Sequence, residues 1–144
     1  MTIAAILKHK GNEVSAVAPT ATIAEVVQEL AKRRIGAVLV MDAARQLLGI
    51  VSERDIVGSL AANGAATLGM TAGQLMTRDV KTAAPRTTVA EAMGIMTAGR
   101  FRHLPVVEGG ALLGIISIGD VVKARIMQQA TEVDSLRAYV AGAA

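Results

Sequence analysis

Residues 19–57 read PTATIAEVVQELAKRRIGAVLVMDAARQLLGIVSERDIV, and residues 85–122 read PRTTVAEAMGIMTAGRFRHLPVVEGGALLGIISIGDVV. The two stretches align from end to end with one gap, at Arg45. A Pro, a Thr-x-Ala-Glu motif, an Arg, a Val, Leu-Leu-Gly-Ile, a Ser and an Asp recur in register. A duplicated half-domain whose copies each end in a polar motif is expected to build a symmetric cleft that can bind a ligand.

Both copies predict the same order of elements. Thr22-x-x-Glu25 and Thr88-x-x-Glu91 are capping boxes that open a helix, and the apolar residues after each box fall on one helical face. A short strand, a turn, a second strand and a second helix come next, and a short lead-in strand precedes each Pro. The strands are predicted at residues 13–17, 37–41 and 47–51 and at residues 79–83, 104–107 and 112–116.

The predicted fold class is therefore α/β in the broad sense (α+β), with two β-α-β-β-α repeats. One repeat alone would leave a face of its sheet bare, so we expect the two to pack as a pseudo-twofold module. The predicted division is a first repeat with its N-terminal lead-in (1–62), a connector (63–78), a second repeat (79–128) and a helical tail (129–144).

Residues 118–140 are predicted to form one long helix with more apolar positions than one repeat needs to cover. These positions serve either a homodimer contact or packing on the helix's own domain, and the sequence leaves both open. The connector is interrupted by Gly64, Gly69 and Gly73, so it is predicted as a helix end, a loop and a short helix.

Composition argues against a nucleic-acid partner. Apolar residues make up 52% of the 144 residues, but the chain has one Phe, one Tyr and no Trp, so it lacks aromatic platforms for base stacking. The net charge is +3. The one tight basic cluster, Lys32-Arg33-Arg34, follows a helix pattern, where cations suit the helix dipole.

The absence of cysteine excludes disulfides, thiolate metal sites and cysteine nucleophiles. His9 and His103 are far apart in sequence, so no transition-metal site is expected. No signal-peptide pattern or membrane-length apolar run is present, which predicts a cytoplasmic protein with no membrane partner. The glycine-rich phosphate-binding motifs and the nucleophile elbow are also missing, so we do not expect an enzyme.

The repeated polar motif is Gly-apolar-apolar-Ser-x-x-Asp, at residues 49–55 and 114–120. It has a structural interpretation, in which Ser and Asp cap a helix and the Gly relieves a crowded strand. It also has a functional one. A carboxylate at a helix N-terminus is held ionised and can accept hydrogen bonds from two vicinal ribose hydroxyls, while nearby N–H groups face phosphate or sugar.

The Pro and Thr-x-Ala-Glu of each copy, the His-Leu-Pro-Val-Val strand and the Gly-Ile-Ile-Ser-x-x-Asp motif together resemble a tandem cystathionine-β-synthase (CBS) domain pair. The resemblance covers residues 3–128 and is strongest to small stand-alone CBS-pair proteins. It implies a disc-like module with two clefts for AMP, ADP or ATP, and in some members NAD(H) or S-adenosylmethionine. The implied function is a non-catalytic, energy- or redox-sensing module that acts in trans on a partner protein. The alternatives are a dimer-forming structural adaptor with a vestigial nucleotide site, or a nucleotide-consuming enzyme.

The resemblance also implies one site on each polar motif, completed by strands of the opposite repeat, with the Asp holding the ribose. The first site would comprise Ser52, Arg54, Asp55, Val80, Lys81, Thr82, Arg102, His103, Leu104 and Pro105. The second would comprise Val14, Ser15, Ala16, Ile35, Gly36, Ala37, Ser117 and Asp120.

The two implied sites differ in charge. The first has Arg54 where the second has Gly119, and it has Arg102-His103 where the second has Gly36-Ala37. Because Arg binds phosphate bidentately, we expect the first site to bind phosphate-rich ligands more tightly. In the second site, Lys8 or Lys10 is the candidate to supply the missing charge.

Overall fold

The computed structural model describes residues 1–143, which form two compact units. The first unit is Glu13–Val80, and the second unit combines Met1–Asn12 with the chain from Lys81 onward. The predicted division instead keeps the N-terminal segment with the first repeat. The boundaries of the units therefore differ from the boundaries of the repeats in the sequence.

The unit Glu13–Val80 contains one three-stranded sheet. Its central strand β2 (Ala37–Met41) pairs in parallel with β1 (Ala16–Val17) and antiparallel with β3 (Leu47–Ser52). The buried side chains of this unit come from the helices and from both long strands. Its elements are β1 (Ala16–Val17), α2 (Ile23–Arg33), β2 (Ala37–Met41), β3 (Leu47–Ser52), α3 (Glu53–Asn63), a 3₁₀ helix (Gly64–Gly69) and α4 (Ala72–Leu75).

The second unit contains a two-stranded antiparallel sheet of β4 (His103–Glu108) and β5 (Ala111–Ser117). A tight turn joins these strands, with Gly109 at φ 59° and Gly110 at φ 81°, as a two-residue hairpin loop requires. In the first repeat the longer turn holds Arg45 at φ 62°, at the one gap in the alignment. The elements of this unit are α1 (Ile3–Lys10), α5 (Val89–Gly99), β4 (His103–Glu108), β5 (Ala111–Ser117) and α6 (Ile118–Ala143).

Helix α1 explains why the N-terminal segment belongs to the second unit. Ile3, Ile6 and Leu7 are buried in the cluster formed by α5, β4, β5 and α6. Burying one such side chain stabilises the fold by about 1.5–3 kcal/mol. The start of α1 is also fixed by backbone, because the Ile3 amide donates to the Thr87 carbonyl at 2.8 Å.

Helix α4 has the same position in the first unit. Thr71 forms a backbone bridge with Thr22, just as Thr2 does with Thr88 in the second unit. Helix α1 therefore packs with the second repeat, and α4 packs with the first. The prediction missed α1, and a Met-Thr pair that begins both segments, at residues 1–2 and 70–71, is the sequence signal for it.

The lead-in strands are shorter than predicted. The first, predicted at 13–17, is only β1, and the second, predicted at 79–83, is a single bridge between Ala83 and Val106. Pro105 accounts for the second difference. In the first repeat the Leu39 amide donates to the Ser15 carbonyl at 3.0 Å, and the equivalent residue in β4 is Pro105, which has no N–H.

The predicted capping boxes are half formed. The Thr22 and Thr88 hydroxyls accept from the backbone of Glu25 and Glu91, at 3.2 and 3.1 Å. The return bond to the N-cap amide is not formed at either helix of the described chain. At the second helix the Thr88 hydroxyl instead donates to the Glu91 carboxylate at 3.1 Å.

The long C-terminal helix was predicted correctly, and it extends to the end of the described residues. The connector has the predicted helix end and the predicted short helix, α4, but a 3₁₀ helix lies where a loop was predicted. Arg33 pairs with Glu29 and with Glu13, so part of the basic cluster at the end of α2 is engaged in ion pairs.

Candidate functional site

Ser52 and Asp55 form a complete capping box at the start of α3. The Ser52 amide and hydroxyl donate to Asp55 Oδ2, at 2.9 and 3.0 Å. In return, the Asp55 amide donates to the Ser52 hydroxyl at 3.4 Å. The structural interpretation of the motif is thus confirmed, and the same bonds fix a carboxylate at a helix N-terminus, where anions are stabilised.

Ser117 and Asp120 repeat this arrangement at the start of α6. The Ser117 amide donates to Asp120 Oδ2 at 2.8 Å, and the Asp120 amide donates to the Ser117 hydroxyl at 3.2 Å. Both Asp side chains are half-buried. The two polar motifs therefore share one backbone geometry, and differences between them must come from the residues that surround the carboxylates.

The glycine of each motif is required by close packing. A Cβ built on Gly49 would lie 2.7 Å from the Met76 sulfur and 2.7 Å from the Thr77 carbonyl oxygen. A Cβ on Gly114 would lie 2.9 Å from Cδ2 of Leu7. The prediction that this glycine relieves a crowded strand is confirmed, and what crowds the strand is the segment from α4 or from α1.

Thr77 lies beside the first carboxylate. Its hydroxyl donates to Asp55 Oδ1 at 3.5 Å. A backbone bridge to β3 places it there, since Ile50 and Thr77 exchange amide–carbonyl bonds of 3.1 and 2.9 Å. Thr77 was not predicted from the sequence, because this bridge lies outside the named strands and leaves no periodic pattern.

Lys10 lies beside the second carboxylate. Its ammonium donates to Asp120 Oδ2 at 2.6 Å and to the Ile115 carbonyl at 2.9 Å. The lysine and aspartate side chains are 33% and 26% exposed, so this ion pair is only partly screened by water. Lys10 was expected to supply charge for a phosphate, and in this structure its charge is directed at the aspartate.

The pKa of Asp120 is lowered from its ordinary value. Partial burial works against ionisation and would raise the pKa. The hydrogen bond from Lys10, the amide and hydroxyl of Ser117 and the positive charge of Lys10 together outweigh that effect. Asp120 therefore ionises more readily than an ordinary aspartate, and its carboxylate already has a cationic partner, Lys10.

Within each unit, the start of the central strand adjoins the polar motif of the same repeat. Ala37 is the register partner of Ser52, and the Glu53 amide donates to the Gly36 carbonyl at 3.0 Å.

The second unit repeats this junction. His103 is the register partner of Ser117, and the Ile118 amide donates to the Arg102 carbonyl at 2.7 Å. The resemblance assigned Arg102-His103 and Gly36-Ala37 to the site of the opposite repeat. That assignment stays a prediction.

The other predicted site residues differ in exposure. Leu104 and Pro105 are buried, and Leu104 belongs to the core of its unit. Half-buried positions are Val14, Ser15, Ile35 and Val80, and exposed positions are Ala16, Arg54, Lys81, Thr82 and Arg102. A ligand can therefore reach the side chains of the exposed group without rearrangement of the core.

Within residues 1–143, no helix has both the length and the apolar character needed to cross a membrane. In the same residues, no three His, Cys, Asp or Glu side chains come together as a metal-binding group. The predicted cytoplasmic location stays a prediction.

Comparison with known proteins agrees with this geometry. The family model described as "CBS domain" matches residues 11–62 and 72–126. A relative from Arabidopsis thaliana, "CBS domain-containing protein CBSX3, mitochondrial", is 32% identical over 98% of this chain and 72% of its own length. Both matches cover the repeated stretch and the polar motifs.

Solved structures lead to the same family. The CBS-domain containing protein ATU1752 from Agrobacterium tumefaciens is 47% identical, with a TM-score of 0.84 over 86% of this chain and 92% of its own. CBSX2, solved in complex with AMP, is 28% identical, with a TM-score of 0.68 over 81% of this chain and 90% of its own. With two family matches that each include one Ser-x-x-Asp cap, this chain belongs to the CBS-domain family.

Proposed function

We propose that this protein is a non-catalytic regulatory module that binds an adenine nucleotide and holds its ribose with Asp55. The observation that carries the proposal is the geometry of Asp55. The cap bonds fall on Oδ2, while Oδ1 has the Thr77 hydroxyl at 3.5 Å, the outer limit of a hydrogen bond. A ribose hydroxyl can replace so weak a partner at little cost. The AMP complex of CBSX2 supports an adenine nucleotide as the ligand class.

Asp120 is the poorer ribose ligand in this proposal. Its Oδ2 already accepts a short, charge-assisted bond from Lys10, and such bonds are about twice as strong as neutral ones. A ribose would have to compete with that ion pair. We therefore propose that the nucleotide binds at the motif of Asp55 and not at that of Asp120.

Arg54 is proposed as a phosphate ligand. It lies exposed in the first turn of α3, directly before Asp55, whereas Gly119 has the equivalent place in α6. A guanidinium group can bind phosphate through two parallel hydrogen bonds. The proposed ligands are AMP, ADP or ATP, and NAD(H) and S-adenosylmethionine share the adenosine that Asp55 would hold.

The test is calorimetry with AMP, ATP and NADH on three proteins: wild type, Asp55→Ala and Asp120→Ala. Both variants lose the same type of helix cap, which costs about 1 kcal/mol of stability. We expect Asp55→Ala to abolish nucleotide binding and Asp120→Ala to retain it. If Asp55→Ala binds as wild type does, the ribose assignment is wrong.

A structural adaptor remains the second candidate. Each polar motif forms a hydrogen-bonded cap, which is a sufficient structural role for Ser and Asp. For an adaptor, none of the three nucleotides would produce heat or raise the melting temperature. A nucleotide-consuming enzyme is tested in the same samples, because it would convert bound ATP, whereas a sensor releases it unchanged.

We further propose that the bound nucleotide regulates a partner protein in trans. Regulation requires that the ligand bind two states of the module with different affinity. Hydrogen exchange of α3 with and without AMP reports whether the ligand changes the stability of this helix start, which such a difference requires. We expect slower exchange at the Asp55 cap with AMP in wild type and no change in Asp55→Ala.

A further inference from the structure

Helix α6 carries an apolar stripe that its own unit does not cover. Every residue from 129 to 142 is exposed. Leu136 is 63% exposed, Val140 61% and Val133 47%, and nearer the domain Ile126 is 60% exposed and Val122 43%. So many exposed aliphatic side chains on one helix indicate an interaction surface.

The stripe has the spacing of a coiled coil. Its members follow one another at intervals of four, three, four, three and four residues, which is the heptad alternation of a and d positions. The a positions are Ile126, Val133 and Val140, and the d positions are Val122, Gln129 and Leu136.

The stripe points away from the protein's own core. Val121 and Ala124 are 0% and 7% exposed and pack in that core, and both lie outside the a and d positions. The first turns of α6 therefore attach the helix by one side and leave the other side for a partner. Residues 129–142 of α6 are exposed, and because packing supplies most helix stability in proteins, a partner that covers this segment would stabilise it.

We propose that a second copy of this chain covers the stripe, as a parallel two-stranded coiled coil of the C-terminal helices. β-Branched residues at a with Leu at d favour two strands, and Ile126, Val133, Val140 and Leu136 fit that pattern. This proposal does not depend on nucleotide binding.

Charge determines the direction of the two helices. Glu132 has a g position and Arg137 the e position five residues later, so a parallel dimer brings Glu132 beside the partner's Arg137, twice by symmetry. An antiparallel pair centred on the stripe would bring Glu132 near the partner's Glu132 and Lys123 near the partner's Arg137. Like charges would then meet at each of these places.

Gln129 gives a second argument for the parallel arrangement. In a parallel pair each d residue faces its own equivalent, so the two Gln129 amides can hydrogen-bond to each other. In the antiparallel pair the amide would face the apolar Val133. A polar residue at one core position is a known way to fix the register at some cost in stability.

The oligomeric state is tested by sedimentation equilibrium over a range of concentrations. Leu136→Lys places a charge in the stripe, and Val57→Lys is the matched control, because Val57 on α3 is 64% exposed. We expect wild type and Val57→Lys to dimerise, and Leu136→Lys to weaken dimerisation by about a hundredfold or more. A Leu136→Lys protein that dimerises like wild type would overturn the proposal, as would a monomeric wild type.

Cysteine cross-linking tests the direction, since the natural chain has no cysteine. In a parallel coil Gln129→Cys faces itself and forms a disulfide-linked dimer on mild oxidation, while Ala138→Cys, at an outer f position, does not. Absence of a Gln129→Cys cross-link, or equal cross-linking at both positions, would contradict the parallel arrangement.

Glu132→Arg should weaken the dimer about tenfold, and the exchange Glu132→Arg with Arg137→Glu should restore it.

Discussion

Two aspartates with the same cap differ at the level of a single neighbouring side chain. Asp55 has the hydroxyl of Thr77 beside it, and Asp120 has the ammonium of Lys10. A hydroxyl is a neutral partner that a ligand can displace, whereas the lysine is a charged one. The two copies of the motif thus share the helix cap, and they differ in the side chain that contacts the carboxylate.

The ion pair between Lys10 and Asp120 should make stability depend on pH in a defined window. Because the pKa of Asp120 is lowered in the folded state, the stabilisation is complete above the ordinary value of about 3.9 and is lost as the pH falls through the lowered value. We expect wild type to be more stable than Lys10→Met at pH 7. The difference in the free energy of unfolding should shrink below about pH 4.

Urea denaturation of both proteins across this pH range measures the effect. Lys8→Met is the control, since Lys8 is an exposed lysine on the same helix. A difference between wild type and Lys10→Met that stays constant into acid would show that Lys10 acts through packing of its aliphatic stem.

At the scale of elements, the two repeats tolerate different substitutions at the same position. Gly49 faces the Thr77 carbonyl, which belongs to the backbone and cannot move far. Gly114 faces the flexible end of Leu7. We expect Gly49→Ala to cost about 1–3 kcal/mol of stability and Gly114→Ala less than about 1 kcal/mol.

Denaturant unfolding of the two alanine variants tests this difference. Gly58→Ala serves as the control, because a Cβ at this exposed helical position meets nothing within 4 Å. It should be neutral or slightly stabilising. Equal losses for Gly49→Ala and Gly114→Ala would mean that the backbone near Thr77 yields as easily as a side chain.

Local sequence patterns were sufficient to predict most elements of the fold. The four long strands were placed within one residue, and α2, α3, α5 and α6 were predicted in this order from capping motifs, apolar spacing and the duplication. The length of the lead-in strand before Pro85 was overestimated. The residue that lacks the N–H donor, Pro105, belongs to the neighbouring strand β4, so the sequence of the lead-in strand itself does not show the difference. Helix α1 was missed, because its packing partner begins some 80 residues later in the sequence.

Only those residues of the candidate site that belong to the repeated motif could be predicted from the sequence, and their roles in binding stay a prediction. Ser52, Asp55, Ser117 and Asp120 follow from the repeated motif, and the structure confirms their caps. The pairing of Lys10 with Asp120 joins residues 110 positions apart, and no local pattern records such a contact.

At the scale of the whole molecule, each unit combines one repeat with the short helix that precedes the other repeat in sequence. Helix α1 precedes the first repeat and packs with the second, and α4 precedes the second and packs with the first. The lysine that ends α1 thereby reaches the aspartate of the later repeat. At Asp55 the equivalent segment supplies the hydroxyl of Thr77.

The number of nucleotides bound per chain follows from this difference. If Asp55 holds a ribose and Lys10 occupies Asp120, wild type should bind one nucleotide per chain. Lys10→Ala should release Asp120 and add a second, weaker site, because the carboxylate stays fixed by Ser117 while its cation is gone. Asp55→Ala in the Lys10→Ala background should retain only this weaker site. Equilibrium dialysis with labelled AMP and ATP counts both classes, and a stoichiometry that Lys10→Ala leaves at one would show that Lys10 is not what blocks the second motif.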